Sequence, residues 1–159
     1  MLFSLNMKPS ICGLFLVVCL AGCSTAPQPA APPAEQKAAT PPSWASFQAD
    51  FRKAVNARDT ALLRPLMSEK FQYTFGDGTP TPDHAFLFWE RAEIKGWESL
   101  QEVARQEAID FTPPPQWGLK GKVKLAPPDA AKDGYRQWRA AFEQQPDGSW
   151  RFVSFLNGD

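Results

Sequence analysis

Residues 138–156 read WRAAFEQQPDGSWRFVSFL, and the alternation within them decides the fold class. Trp138, Ala140 and Phe142 recur at every second position, as on one face of a β-strand, with Arg139 and Glu143 on the other. Pro146-Asp147-Gly148 breaks the alternation with residues suited to a tight turn, since proline presets its φ and glycine accepts a positive one. Beyond the turn, Trp150, Phe152 and Leu156 fall on one side of a second strand, and Val153 and Phe155 on the other. A strand that is apolar on both sides is one covered on both sides. This hairpin is therefore expected near the centre of an antiparallel sheet.

The period-2 pattern extends upstream. Ile109 and Phe111 flank Asp110 in a short strand that Pro113-Pro114-Pro115 stops. Trp117, Leu119, Val123 and Leu125 then share one face, while Lys120, Lys122 and Lys124 share the other. Before residue 105 the period is mostly 3.6. Ser43 is a suitable N-cap, and Trp44, Phe47, Phe51, Ala54 and Val55 follow at the spacing of a helical stripe. Asp59 caps a short helix carrying Leu62 and Leu63, which Pro65 interrupts. Phe71, Tyr73 and Phe75 alternate as a strand ended by Gly76-Asp77-Gly78. Thr81-Pro82 is an N-cap and first-turn pair for a third helix with Phe86, Leu87 and Trp89. Gly96 then precedes a further stripe of Trp97, Leu100, Val103 and Ala104. Helices first and strands after is the α+β pattern.

The N-terminus carries an address. Lys8 supplies a positive start, and Ile11 to Leu20 an apolar run shorter than the about 18 residues a spanning helix needs. Leu20-Ala21-Gly22-Cys23 closes that run and resembles the lipobox of bacterial lipoproteins. The resemblance implies cleavage of residues 1–22 and lipid on Cys23, which anchors stably only with two or more acyl chains. Ser24 follows, rather than the aspartate that retains many lipoproteins in the inner membrane, so an outer-membrane anchor facing the periplasm is expected. Residues 23–43 are rich in proline and alanine, the composition of an extended spacer. Residues 44–159 remain for one domain with its own core.

The whole chain has 17 basic and 17 acidic residues. Only Lys8 among them leaves with the signal, so the mature chain is near neutral and lacks the basic field that nucleic acids attract. Cys12 and Cys19 leave too, and Cys23 is consumed by lipid. No thiol is left for a disulfide, a metal site or a nucleophile. With His84 the sole imidazole, no histidine-rich metal site is possible, and no cofactor is expected.

Phe51-Arg52-Lys53-Ala54-Val55-Asn56-Ala57-Arg58-Asp59, followed by Leu62 and Leu63, resembles the opening of nuclear transport factor 2-like domains. The hairpin Asp147-Gly148-Ser149-Trp150-Arg151-Phe152 resembles their close. This superfamily includes the SnoaL-like and ketosteroid-isomerase-like proteins. The resemblance implies a cone-shaped α+β fold of cystatin-like type, with a curved antiparallel sheet wrapped round the N-terminal helices to leave a pocket. The catalytic base and oxyanion donors of its enzymes find no matching positions here.

Two side chains are candidates for acid–base chemistry. His84 stands beside Asp83 in the first turn of the third helix, which also fits a polar helix start. Asp110 alternates with Ile109 and Phe111; inside an apolar cavity its pKa would rise and it would serve as a base, whereas on a solvent-facing strand it would not. Tyr73, Trp89, Trp138 and Phe152 are candidates to line a pocket with Arg136 at its mouth, although core packing accounts for most aromatic residues. The expected function is a lipid-anchored envelope binding domain without catalysis, taking a small apolar ligand or an envelope protein. The alternative is an enzyme of the ketosteroid-isomerase or SnoaL type that uses an aspartate to move a proton next to a carbonyl. Val153 and Phe155, with no helix left to cover them, suggest a homodimer through the outer face of the sheet.

Overall fold

Helix α1 (Trp44–Ala57) begins where the sequence places it, because the Ser43 hydroxyl accepts the Ser46 N–H at 3.2 Å. Its stripe of Phe47, Phe51, Ala54 and Val55 is buried. The computed structural model describes residues 41–76 and 80–158, all within one compact unit, Ala38–Asp159. The signal, Cys23, the spacer up to residue 40 and Asp77 lie outside the described residues.

The other capping signals hold as well. The Asp59 carboxylate accepts the Ala61 and Leu62 N–H groups at 2.9 and 3.0 Å and starts α2 (Thr60–Leu63). Thr81 caps α3 (Pro82–Trp89). Helix α4 spans Gly96–Arg105 and buries Trp97, Leu100, Val103 and Ala104. Helices α1 and α4 are tied end to end. Arg52 on α1 donates to the Ala104 and Gln106 carbonyls at 2.8 and 3.2 Å, and Gln101 on α4 donates to those of Val55 and Asn56, each at 3.3 Å. Each helix thereby donates side-chain hydrogen bonds to carbonyls near the other's C-terminus, where intrahelical donors run out.

Five strands form one sheet: β1 (Met67–Gln72), β2 (Ile109–Phe111), β3 (Val123–Ala126), β4 (Arg139–Gln144) and β5 (Trp150–Leu156). Their order is β1-β5-β4-β3-β2. The hairpin β4–β5 is interior, as its two apolar sides require, with β4 in the middle position. The fold is α+β, and the sheet is mixed: β1 joins β5 in parallel, the other pairs being antiparallel. β1 also starts and ends earlier than the alternation of Phe71, Tyr73 and Phe75 suggests. The expected strand from Trp117 is shortened too, because Pro115–Trp117 forms a 3-10 turn.

One correction changes the reading of the outer face. Ala141 pairs with Ser154 but the next residue, Phe142, pairs with Phe152. Val153 is therefore the extra residue of a β-bulge, which shifts the phase of β5. Trp150, Phe152 and Phe155 all enter the main core, whereas Val153 turns to the opposite face with Leu125 and Ala141. Leu156, expected beside Trp150 and Phe152, pairs with Arg139 next to the Phe155–Ala140 pair and so falls off the core face as well. Phe155 was expected beside Val153 on the outside; instead it is fully buried and stacks on Trp138 at 4.5 Å. Val153 is only 6% exposed, covered by Phe111, Trp117, Leu119 and Ala130 of its own chain. The pair Val153 and Phe155 thus offers no exposed apolar patch for a homodimer.

The space between α1 and the sheet is filled by rings. Phe51 meets Phe142 at 5.1 Å and Phe152 at 4.9 Å, both edge to face, and Phe152 meets Phe71 at 4.7 Å. Trp89 continues the cluster against Phe71, Phe86, Trp97 and Phe155 at 5.3–5.8 Å. Offset and edge-on contacts of this kind add attraction beyond area burial. Where the family resemblance implies a pocket, this domain has an aromatic core.

Candidate functional site: an aromatic groove

The two acid–base candidates do not meet. Asp110 lies directly opposite Lys124 in the β2–β3 pair and accepts a hydrogen bond from its Nζ at 2.8 Å. This bond, reinforced by the lysine charge, holds the carboxyl below the usual aspartate range. The Asp110 side chain is 86% exposed, so the raised pKa of a carboxyl in an apolar cavity is corrected to the opposite shift. Lys124 is not simply a solvated member of the lysine stripe, since its ammonium also sits over the Trp44 ring at 5.4 Å. His84 is exposed at the start of α3, its Nδ1 sharing a hydrogen bond with Thr81 Oγ1 at 2.7 Å. Its neighbour Asp83 is bound to Arg64, whose hydrogen bonds hold that carboxyl low. Among the described residues no three His, Cys, Asp or Glu side chains group as metal ligands.

The proposed ligand-lining residues divide into two sets. Trp89 and Phe152 are core, 2% and 0% exposed. Tyr73 and Trp138 are half-buried and line a surface groove of about 420 Å³ with Thr74, Phe75, Phe88, Glu93, Ile94 and Asn157. That volume falls within the about 300–1,000 Å³ of small-molecule sites. Arg136 is exposed beside the groove, its carbonyl accepting the N–H of Gly158, next to Asn157, at 3.1 Å.

Local structure explains how these rings come together. Tyr73 follows the end of β1, and Phe88 lies on α3, which packs on β1; the two rings approach to 5.4 Å. Trp138 immediately precedes β4 and is held by Phe155, stacked at an interplanar angle of 17°. The guanidinium of Arg91 sits over Phe88 at 5.5 Å and that of Arg139 over Phe75 at 5.3 Å. The groove therefore combines aromatic faces with a rim that is polar and of mixed charge.

Sequence reasoning missed Phe88 and the loop contributors Glu93, Ile94 and Asn157. A signal for Phe88 did exist. Ala85-Phe86-Leu87-Phe88-Trp89 is apolar all round, too wide for one helix face, so some of its members must face something besides the core. Ala85, Phe86 and Trp89 are the buried members, while Leu87 is exposed.

No protein-family profile matches this sequence, and no curated protein matches it. Among solved structures it is similar to a candidate ketosteroid isomerase from Shewanella frigidimarina NCIMB 400, at 11% identity and a TM-score of 0.37, over 69% of this chain and 89% of that one. It is also similar to a nuclear transport factor 2-like protein with a cystatin-like fold from Novosphingobium aromaticivorans, at 16% identity and a TM-score of 0.33, over 70% of this chain and 75% of that one. These neighbours are of the nuclear transport factor 2-like kind, and the likeness is one of fold alone.

Proposed function

We propose that this chain is a lipid-anchored binding domain of the cell envelope, tethered through Cys23 at the outer membrane and facing the periplasm. It holds a small ligand or an envelope partner at the Tyr73–Phe88–Trp138 groove without catalysing a reaction on it. The observation that carries this reading is the division of the aromatic residues. Core rings fill the space under α1, while Tyr73, Phe88 and Trp138, packed against the edge of that core, stay half-buried and face the groove. Proton transfer next to a carbonyl needs a desolvated base facing substrate, and the Asp110 carboxylate is instead exposed and bound to Lys124.

A photo-crosslinking residue tests the site in cells. Placed at Thr74, inside the groove, it is expected to capture an envelope component; placed at Asp50, exposed on α1 and not among the groove's lining residues, it is expected to capture nothing. Equal capture at both positions, or none at either, contradicts the site. The anchor has its own test. Cells fed a radioactive fatty acid should label this protein, and Cys23→Ser should abolish the label, because no other thiol follows residue 23. Label retained by the variant rejects lipidation at Cys23.

A further inference from the structure

The lysines of the stripe stand where the tether enters the domain. Pro41, the first described residue, packs on the hairpin turn: a β-carbon built on Gly148 would lie 2.9 Å from Pro41 Cγ. Trp44, just beyond it, meets Trp150 at 4.9 Å. Two clefts open around this point and adjoin at Lys122. One, of about 490 Å³, is lined also by Lys120, Glu143 and Pro146; the other, of about 780 Å³, by Trp44, Phe111 and Lys124. Among the described residues, the cations at this end are Lys120, Lys122, Lys124 and Arg151, and the carboxylates Asp110, Glu143 and Asp147. All three carboxylates are engaged. Asp110 accepts from Lys124 Nζ at 2.8 Å, and Glu143 Oε1 from the Lys120 and Gly121 N–H groups at 2.7 and 2.9 Å. Asp147 accepts the Ser149 N–H and hydroxyl, with the charge of Arg151 beside it. The exposed Lys120 and Lys122 make no ion pair among the described residues. Residues 24–40 add one charge of each sign, Glu35 and Lys37, so the excess at this end is positive.

Resting on the lipid anchor proposed above, we infer that Lys120 and Lys122 dock this end of the domain onto anionic phospholipid head groups. The seventeen residues 24–40 separate Cys23 from Pro41, and even fully extended they reach at most about 60 Å. The anchor therefore holds the lysine end within that distance of the bilayer. Two lysines attract an anionic surface only modestly, too little to bring a free domain down to it. On a tether the same attraction acts at high effective concentration. An acidic protein would meet the same lysines, but nothing brings it to this end, whereas the tether brings the bilayer. Half-buried Trp44 beside lysines suits the head-group layer, where amphipathic rings settle. Strands β4 and β5 run away from the hairpin turn, and Trp138 and Asn157 stand just beyond their far ends, about 20 Å off at the rise of a strand. Docking thus presents the Tyr73–Phe88–Trp138 groove to the periplasm.

The test uses the full chain, purified with its lipid and reconstituted in vesicles of phosphatidylcholine with added phosphatidylglycerol. A fluorophore is attached through Pro146→Cys, exposed at the lysine end, or through Arg136→Cys, exposed beside the groove. The acylated Cys23 is the only other cysteine after the signal. Quenching by head groups that carry a nitroxide is then read. The label at position 146 is expected to be quenched at least about twofold more than the label at position 136, as an anionic surface attracting the lysines requires. Lys120→Glu with Lys122→Glu should abolish the difference, and Lys120→Arg with Lys122→Arg, which keep the charge, should preserve it. Equal quenching at the two positions overturns the docking, and so does a difference that the charge reversal leaves intact. A chain that floats with the vesicles but is quenched equally at both positions keeps its anchor and loses the docking. A chain that takes up no fatty acid in cells and does not float with vesicles loses both.

Discussion

Gly96→Ala should cost the domain about 3 kcal/mol or more, the upper range for forcing an extra group into a packed core. A β-carbon at Gly96 would lie 2.6 Å from Trp89 Cβ and Cδ1 and 2.7 Å from its Cα. Trp89 cannot step aside, because Phe71, Phe86, Trp97 and Phe155 surround it and it is 2% exposed. One of the three atoms is backbone, so relief requires moving α3 itself. Helix propensity works in the other direction, alanine being better than glycine by about 1 kcal/mol, and steric conflict outweighs it. Urea titration checks the balance. An unchanged or raised midpoint would show that α3 and α4 sit farther apart than described.

Phe152→Ala is expected to lose about 3–5 kcal/mol, as for other buried aromatic truncations. The ring is fully buried and touches those of Phe51, Phe71, Phe142 and Phe155 at 4.7–6.4 Å. It therefore joins α1, β1, β4 and its own strand, and no exposed side chain nearby can collapse into the void. Phe152→Leu keeps most of the volume and should lose less than about 1.5 kcal/mol. Equal losses for both variants, by the same urea titration, would mean that volume is not what matters at this position.

Much of this arrangement was legible in the sequence because it is local. Ser43, Asp59 and Thr81 cap their helices through side-chain bonds to N–H groups two or three residues on, and such bonds need no tertiary partner. The Asp147 carboxylate likewise accepts the N–H and hydroxyl of Ser149 within the hairpin turn. What escaped was set across the fold. The bulge at Val153 arises from pairing between β4 and β5, and a strict count of two placed Phe155 on the wrong face. The parallel partner of β1 lies some eighty residues downstream, so nothing near Phe71 reveals it. For Asp110 the deciding neighbour is Lys124, brought opposite it only by the β2–β3 register. The groove was half legible: Tyr73 and Trp138 were named from their chemistry, but Trp89 and Phe152 carry the same chemistry and lie in the core.

The claim on which the functional reading turns is that the space beneath α1 is packed rather than hollow. Trp89 Nε1 probes the same continuous core, being buried and without a hydrogen-bond partner among the rings of Phe71, Phe86, Trp97 and Phe155. Hydrogen exchange of the indole N–H groups, resolved by NMR and assigned with Trp89→Phe, measures whether water reaches it. The Trp89 proton should exchange only through opening of the whole domain, orders of magnitude more slowly than that of half-buried Trp138. Exchange as fast as that of Trp138 would reveal a water-filled cavity at this position and contradict the packed core.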